Sequence, residues 1–291
     1  MSRGRTSIED VLNSYSDHLH HRYPKNANRF DCTRKSSRES AIAEAITFHI
    51  FRVIDCSPQV HDQVGIGGVD FLCFDSRRSL LRGLPRGQFV VEATSLSPNA
   101  VSERSRVPNE VPKGIGGCAF GLLTQNICNK AKDKNKQLRG YLMPRVLAVV
   151  TSHSGAPILF DARAAKRALV SDLHFRHEIG NESADPTDYT DLRNSVFIKL
   201  GSDGNVVACR KEVSAILLIA VYGDSSEVYG ILHPESEFPL DSAFLPGIPF
   251  VRISQWPIVD DKILLGWEVD GSPSRVNGDL DGLTIRHSLN H

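Results

Sequence analysis

Val69-Asp70-Phe71-Leu72-Cys73-Phe74 and Phe89-Val90-Val91-Glu92-Ala93-Thr94 are the two stretches on which the reading of this chain turns. Both are rich in the β-branched and aromatic residues that favour a buried, pleated strand. Both also carry a single acid among apolar neighbours, and burying a carboxylate without a partner is costly. One acid in a strand is more often satisfied by an ion pair or by solvent. Two on neighbouring strands repel each other unless something cationic lies between them. A divalent ion with oxygen ligands fills that place. Magnesium is usually held by one or two carboxylates, with water and substrate phosphate completing its shell.

Upstream, Ser36 or Ser37 is placed to cap a helix running to about Ile54, with Ala41, Ile42, Ala45, Ile46, Phe48, Ile50, Phe51 and Val53 as its apolar residues. That helix is apolar nearly all round. Glu44, with Ala41, Phe48 and Phe51 at helical spacing, therefore needs a polar partner. Residues 1–36 form a polar, basic segment in which Ile8, Val11, Leu12, Tyr15 and Leu19 recur at the spacing of a short amphipathic helix. His18, His20 and His21 read as its exposed end rather than as a metal site.

Gly65-Ile66-Gly67-Gly68 and Gly114-Ile115-Gly116-Gly117 lack the Lys-Ser/Thr of a phosphate loop and read as turns. Residues 75–87 read as a basic hairpin tip. Arg77, Arg78, Arg82 and Arg86 there are candidates for holding phosphates, or keep an exposed hairpin soluble. Residues 95–117 read as a long loop, followed by a basic helix over about 120–138 and a buried strand over 145–151. A helix over 161–177, a polar loop over 181–195 and strands over 195–200, 213–222, 227–232 and 250–253 complete the pattern. Residues 239–257 are Pro-rich and read as loop packing over an edge, and the Gly-, Asp- and Ser-rich residues 270–291 as a flexible tail. This order predicts an α/β fold with a mixed central sheet flanked by helices and extended by C-terminal strands. The expected organisation is an N-terminal helical segment (1–36), a core (37–160), an extension of the same domain (161–269) and the tail.

The bulk numbers fit a globular protein. With 41% hydrophobic and 23% charged residues among 291, the chain can build a sizeable core. Its formal net charge is zero, so an overall positive field for nucleic acid is absent. The distribution is uneven. Nine Lys/Arg fall between positions 103 and 145 against Glu103, Glu110 and Asp133, whereas the chain beyond Gln255 is acidic. Such a basic stretch suits a confined anion-binding surface or a solvated helix face. The six cysteines form no CxxC pair, which argues against a structural zinc site. No signal-like or membrane-spanning run is apparent, so a cytoplasmic protein with reduced thiols is expected.

The set of motifs resembles the PD-(D/E)xK nuclease superfamily. The residues that carry the resemblance are Glu44, Gly67-Gly68-Val69-Asp70-Phe71, Val90-Val91-Glu92-Ala93-Thr94 and the helix ending Lys130-Ala-Lys132-Asp-Lys134-Asn-Lys136-Gln137-Leu138-Arg139-Gly140-Tyr141. The resemblance covers roughly residues 37–152 and implies a restriction-endonuclease-like core. Glu44 would be the helix acid, Asp70 the acid opening the second strand, and Glu92 the acid of the E-x-K element. Asp70 and Glu92 would be the metal ligands for Mg²⁺ or Mn²⁺. Gln137 and Tyr141 match a Gln-x-x-x-Tyr pattern that some members place near nucleic acid, and Arg77 and Arg78 would add phosphate contacts. Two departures stand out. Val69 replaces the proline before the first acid, and Thr94 stands where the E-x-K lysine is expected. Threonine cannot stabilise developing negative charge as a lysine would. Lys130, Lys134 and Gln137 share one helical face, so the expectation is that Lys130 or Lys134 supplies the missing cation from that helix.

The activity implied is metal-dependent hydrolysis of phosphodiester bonds, chiefly in DNA, in a setting such as bacterial restriction or anti-phage defence. Partners would be nucleic acid and either other subunits of a defence complex or a second copy in a homodimer. The alternative is a catalytically degenerate nuclease-fold subunit that binds nucleic acid or a partner protein, which Thr94 and the neutral charge favour. A Ser or Cys hydrolase is a third class. The sequence offers it no Gly-x-Ser-x-Gly, and His153, His174, His177 and His233 have no evident nucleophile partner.

Overall fold

Ser7 starts the first helix. Its hydroxyl accepts the Asp10 amide at 3.2 Å while the Asp10 carboxylate accepts the Ser7 amide at 3.1 Å, a reciprocal cap. The computed structural model describes residues 7–62, 68–74, 87–106, 109, 120–171, 174–176, 187–190, 192–259, 262–274 and 283–285. Helices α1 (Ile8–Arg22), α2 (Pro24–Ser36) and α3 (Arg38–Val53) follow one another with one-residue joints. Ser37 stands at the N-cap of α3 as expected, but its hydroxyl meets Ser40 Oγ at 2.8 Å rather than a free amide.

Strands β1 (Gln59–Val60), β2 (Phe71–Phe74) and β3 (Gln88–Ser95) come next. Helices α4 (Pro98–Ser105) and α5 (Phe120–Leu138) lead to β4 (Arg145–Thr151), then α6 (Ala156–Leu159) and α7 (Ala162–Val170). Short strands β5 (His174–Arg176), β6 (Thr187–Thr190), β7 (Ile198–Leu200) and β8 (Val206–Ala208) precede the long hairpin β9 (Ala215–Tyr222) and β10 (Ser225–Leu232). The chain closes with β11 (Phe250–Ile253), β12 (Lys262–Ile263), β13 (Leu265–Val269), β14 (Ser272–Ser274) and β15 (Leu283–Ile285).

Among the described residues, nine strands form one mixed sheet in the order β1-β2-β3-β4-β9-β10-β11-β13-β14. Its centre, β3-β4-β9, is parallel, with Glu92 opposite Leu147 and Leu147 opposite Ile216. β4 and β9 are buried on both faces, the mark of a sheet covered on both sides. On one face α1–α3 pack over Phe71, Phe89, Val91, Val146, Ala148 and Leu217. On the other, α5–α7 pack over Val69, Val90, Leu147, Val149 and Leu218. The α/β class and the large mixed sheet flanked by helices are thus as expected. No helix among the described residues is long and apolar enough to cross a membrane.

Several expectations need correction. Residues 1–36 hold two helices, not one, and bury Leu12, Tyr15, Leu19, Ala27 and Phe30 in the same apolar layer as α3. The loop expected over 95–117 contains α4, capped by Ser97, whose hydroxyl accepts the Ala100 amide at 3.2 Å. The helix expected over 161–177 ends at Val170, where Ser171 turns to a positive φ. The expected tail contributes β14 and β15. The strand expected over 69–74 begins only at Phe71, which leaves Asp70 at the bend before it.

Candidate active site

The two acids meet because β2 and β3 are antiparallel neighbours. Phe71 pairs with Val91, so Asp70 continues the register opposite Glu92. Val90 faces the layer that contains α5, and Glu92 and Thr94, two and four residues on, point the same way. Asp70 is held at both ends. Its carboxylate Oδ2 accepts the Ala93 amide at 2.7 Å, and its carbonyl accepts the His61 amide at 2.9 Å. Just before it, the Val69 amide donates to the Tyr141 hydroxyl at 3.3 Å.

Glu92 is 3% exposed. Lys134, reaching down from α5, donates from Nζ to Glu92 Oε1 at 2.7 Å, while buried Oε2 has no hydrogen-bond partner. Glu44 comes from α3 on the opposite face of the sheet. The Tyr15 hydroxyl donates to its Oε1 at 2.8 Å, and Arg29 stands 3.6 Å away in a second ion contact. The apolar setting of Glu44 required a donor, and a tyrosine in the apolar stripe of α1 required an acceptor. Each supplies the other.

These groups line one cleft of about 550 Å³, with Arg29 and Thr33 of α2, Ser40 and Glu44 of α3, Asp62, Asp70, Glu92, Thr94, and Lys130, Lys134 and Gln137 of α5 around it. Four acids face three cations among the described lining residues, an excess of negative charge that a bound cation would relieve. Burial, then the Glu92 and Glu44 carboxylates, push Asp70 well above the usual carboxylate range. Burial raises Glu92 as well, opposed by the Lys134 ammonium, and burial raises Glu44 against the pull of Tyr15 and Arg29. Oxygen-only donors, a carboxylate oxygen buried without a partner and mutually repelling acids are what a hard divalent cation suits. Among the described residues no three His, Cys, Asp or Glu side chains form a ready-made metal cage. Asp70 and Glu92 would therefore leave the rest of a cation's shell to water and substrate.

Of the residues expected at the site, Glu44, Asp70, Glu92, Lys130, Lys134 and Gln137 converge on the cleft. Lys134, not Lys130, contacts Glu92. Thr94 lies in the cleft wall and brings no charge. Tyr141 supports the Val69 backbone and is not among the lining residues. Arg77 and Arg78 lie outside the described residues. Sequence reasoning missed Arg29, Thr33, Ser40 and Asp62, which come from polar helix faces and a connector with no motif of their own.

His153 and His233 read as structural, and His177 lies outside the described residues. Buried His153 accepts the Gly155 amide at Nδ1 (2.8 Å), so Nε2 carries the proton toward Ser102 Oγ at 2.9 Å. A ring in that tautomer is not placed to take the serine proton. His233 has Nδ1 and Nε2 engaged by the Glu235 amide and the Cys209 carbonyl, and burial lowers its pKa to about 4. Comparison with protein-family models, with curated proteins and with solved structures found no match for the chain.

Proposed function

We propose that the protein is a metal-dependent nuclease with a restriction-endonuclease-like core, hydrolysing phosphodiester bonds in nucleic acid and in DNA first of all. The observation that carries this reading is the Lys134 to Glu92 contact at 2.7 Å. A lysine absent from the strand position held by Thr94 arrives at the same acid from a neighbouring helix. Asp70 and Glu92 would hold the cation, in keeping with their shared cleft and the unpartnered Glu92 oxygen. Magnesium or manganese, when bound, supplies an activated water and neutralises charge on the phosphoryl group.

The chain's own residues do the rest. Lys134 orients Glu92 and keeps N–H donors for the developing negative charge. The Ala93 amide fixes the Asp70 carboxylate, so the acid needs no reorganisation before it acts. Tyr15 and Arg29 hold Glu44 at the edge of the cleft. Gln137 is exposed at the rim and is placed to contact the strand.

The test is cleavage of plasmid and oligonucleotide substrates with Mg²⁺, Mn²⁺ or EDTA. Wild type is expected to cut with either metal and not in EDTA. Lys134→Ala should lower the rate by about 10²–10³, and Asp70→Ala by at least as much. A wild-type chain that cuts nothing under any of these conditions overturns the reading. Thr94 in the strand position of the expected lysine, together with the zero formal net charge, favours the second reading, a non-cleaving binding subunit. Nucleic-acid binding without calorimetric Mn²⁺ binding would select it.

A further inference from the structure

The cleft has a second wall. Arg29 and Thr33 of α2, on the α1–α3 side of the sheet, line the same cleft as Lys130 and Gln137 of α5, on the other side. α2 is tied there by specific bonds. Asn26 Nδ2 donates to the Asp62 carbonyl at 2.9 Å, Arg29 is ion-paired with the Asp62 carboxylate, and adjacent His61 donates to the Asp70 carbonyl. The wall and the acid are therefore both tied to residues 61 and 62. Arg29 contacts Asp62 and Glu44, yet its side chain is 35% exposed and a guanidinium has five N–H donors. Opposite it, Lys130 has no acid partner among the described residues, because Glu92 is taken by Lys134.

We infer that Arg29 and Lys130 grip substrate phosphates from opposite walls, so that the cleft takes one nucleic-acid strand and not a closed duplex. This rests on the nuclease reading above and narrows its substrate class. Three features argue for it. A cation reaches the cleft from the helices on each side of the sheet, with Asp70 and Glu92 on the strands between them, so a phosphate drawn to both cations would meet those two carboxylates across a bound metal. Arginine presents a planar fork that matches phosphate in two bonds at once, and lysine adds a point charge. The cleft as a whole, about 550 Å³, has the volume of a small-molecule site. A nucleotide-sized segment fits it, whereas a duplex must first part its strands, at an unstacking cost.

The test is fluorescence anisotropy of the full chain in EDTA, where no turnover occurs. The probes are a fluorescein-labelled oligonucleotide and a blunt duplex containing the same strand. The single strand is expected to bind about tenfold or more tightly than the duplex. Arg29→Ala and Lys130→Ala should each weaken single-strand binding about tenfold. Each should also make the dependence of log affinity on log salt shallower by about 0.7. Thermal unfolding separates a binding loss from a folding loss. Lys130 is half-exposed and has no ion-pair partner among the described residues, so its variant keeps the test valid even if Arg29→Ala is destabilised. Arg29→Lys should restore part of the affinity through its charge. Equal binding of strand and duplex, or unchanged binding by both alanine variants, overturns the inference. Metal-dependent cleavage, measured separately, then decides the nuclease reading by itself. A wild-type chain that neither binds nor cuts overturns both.

Discussion

Asp70 is kept in the cleft against an electrostatic cost. Burial and two neighbouring acids raise its pKa, so the folded chain holds the Asp70 proton more tightly than the unfolded chain does. Such a group favours folding at low pH, and that contribution is lost as pH rises from the unfolded value, about 4, through the raised folded value. Asp70→Asn removes the charge and keeps an oxygen for the Ala93 amide. Calorimetry at neutral pH should show the variant unfolding at a higher temperature than wild type. A gain on the order of 1 kcal/mol corresponds to about 2 °C in Tm for a chain of this size. The advantage should shrink as pH falls through the folded pKa, and an unchanged or lowered Tm at neutral pH would count against the charge cluster. Asp70 and Glu92 were legible in the sequence because acids in apolar strands stand out. Lys134 was narrowed to a pair by helical spacing, but choosing between Lys130 and Lys134 required the height of α5 above the sheet. Arg29 was not legible, since nothing local in α2 marks which way an arginine on a polar helix points.

At the level of elements, the N-terminal helices are part of the site's foundation. Phe30 of α2 is fully buried and meets Tyr15 edge-on with ring centroids 5.0 Å apart. Tyr15 in turn holds Glu44. Phe30→Ala should cost about 3–5 kcal/mol, seen as a lower urea midpoint at unchanged slope. A loss under 1 kcal/mol, by order of magnitude, would mean that α2 is only loosely applied. α2 was hard to see because it buries only Asn26, Ala27 and Phe30, too few to make a periodic stripe. α4 is a different case, with Ser97 and Pro98 in the cap and first-turn positions that start a helix. The polar composition around them outweighed that signal. The long strands were plain because β4 and β9 are apolar throughout, while β14 and β15 span three residues each and leave no pattern to read.

Across the whole molecule, the sheet divides two apolar layers, and the thiols report on how well both are closed. Cys56 and Cys73 lie in one layer and Cys128 in the other, all buried, whereas Cys32 is exposed. Burial pushes the Cys128 thiol up to about 12 and raises Cys73 well above its ordinary value. Alkylation of the native protein near pH 8, followed by mass spectrometry, should modify Cys32 ahead of the other described cysteines. Cys73 and Cys128 should react at least ~100-fold more slowly. Comparable rates at Cys128 and Cys32 would show that the α5 layer opens readily.

The cleft draws Glu44 and Arg29 from the α1–α3 side and Lys130 and Lys134 from the α5 side, with Asp70 and Glu92 between them. A copy in which either side has melted keeps only half of the constellation. On the proposed reading, competence would require both packings at once, so a nascent or damaged copy would stay silent until both have set. For a protein proposed to cut nucleic acid, that would be a form of proofreading built into the architecture.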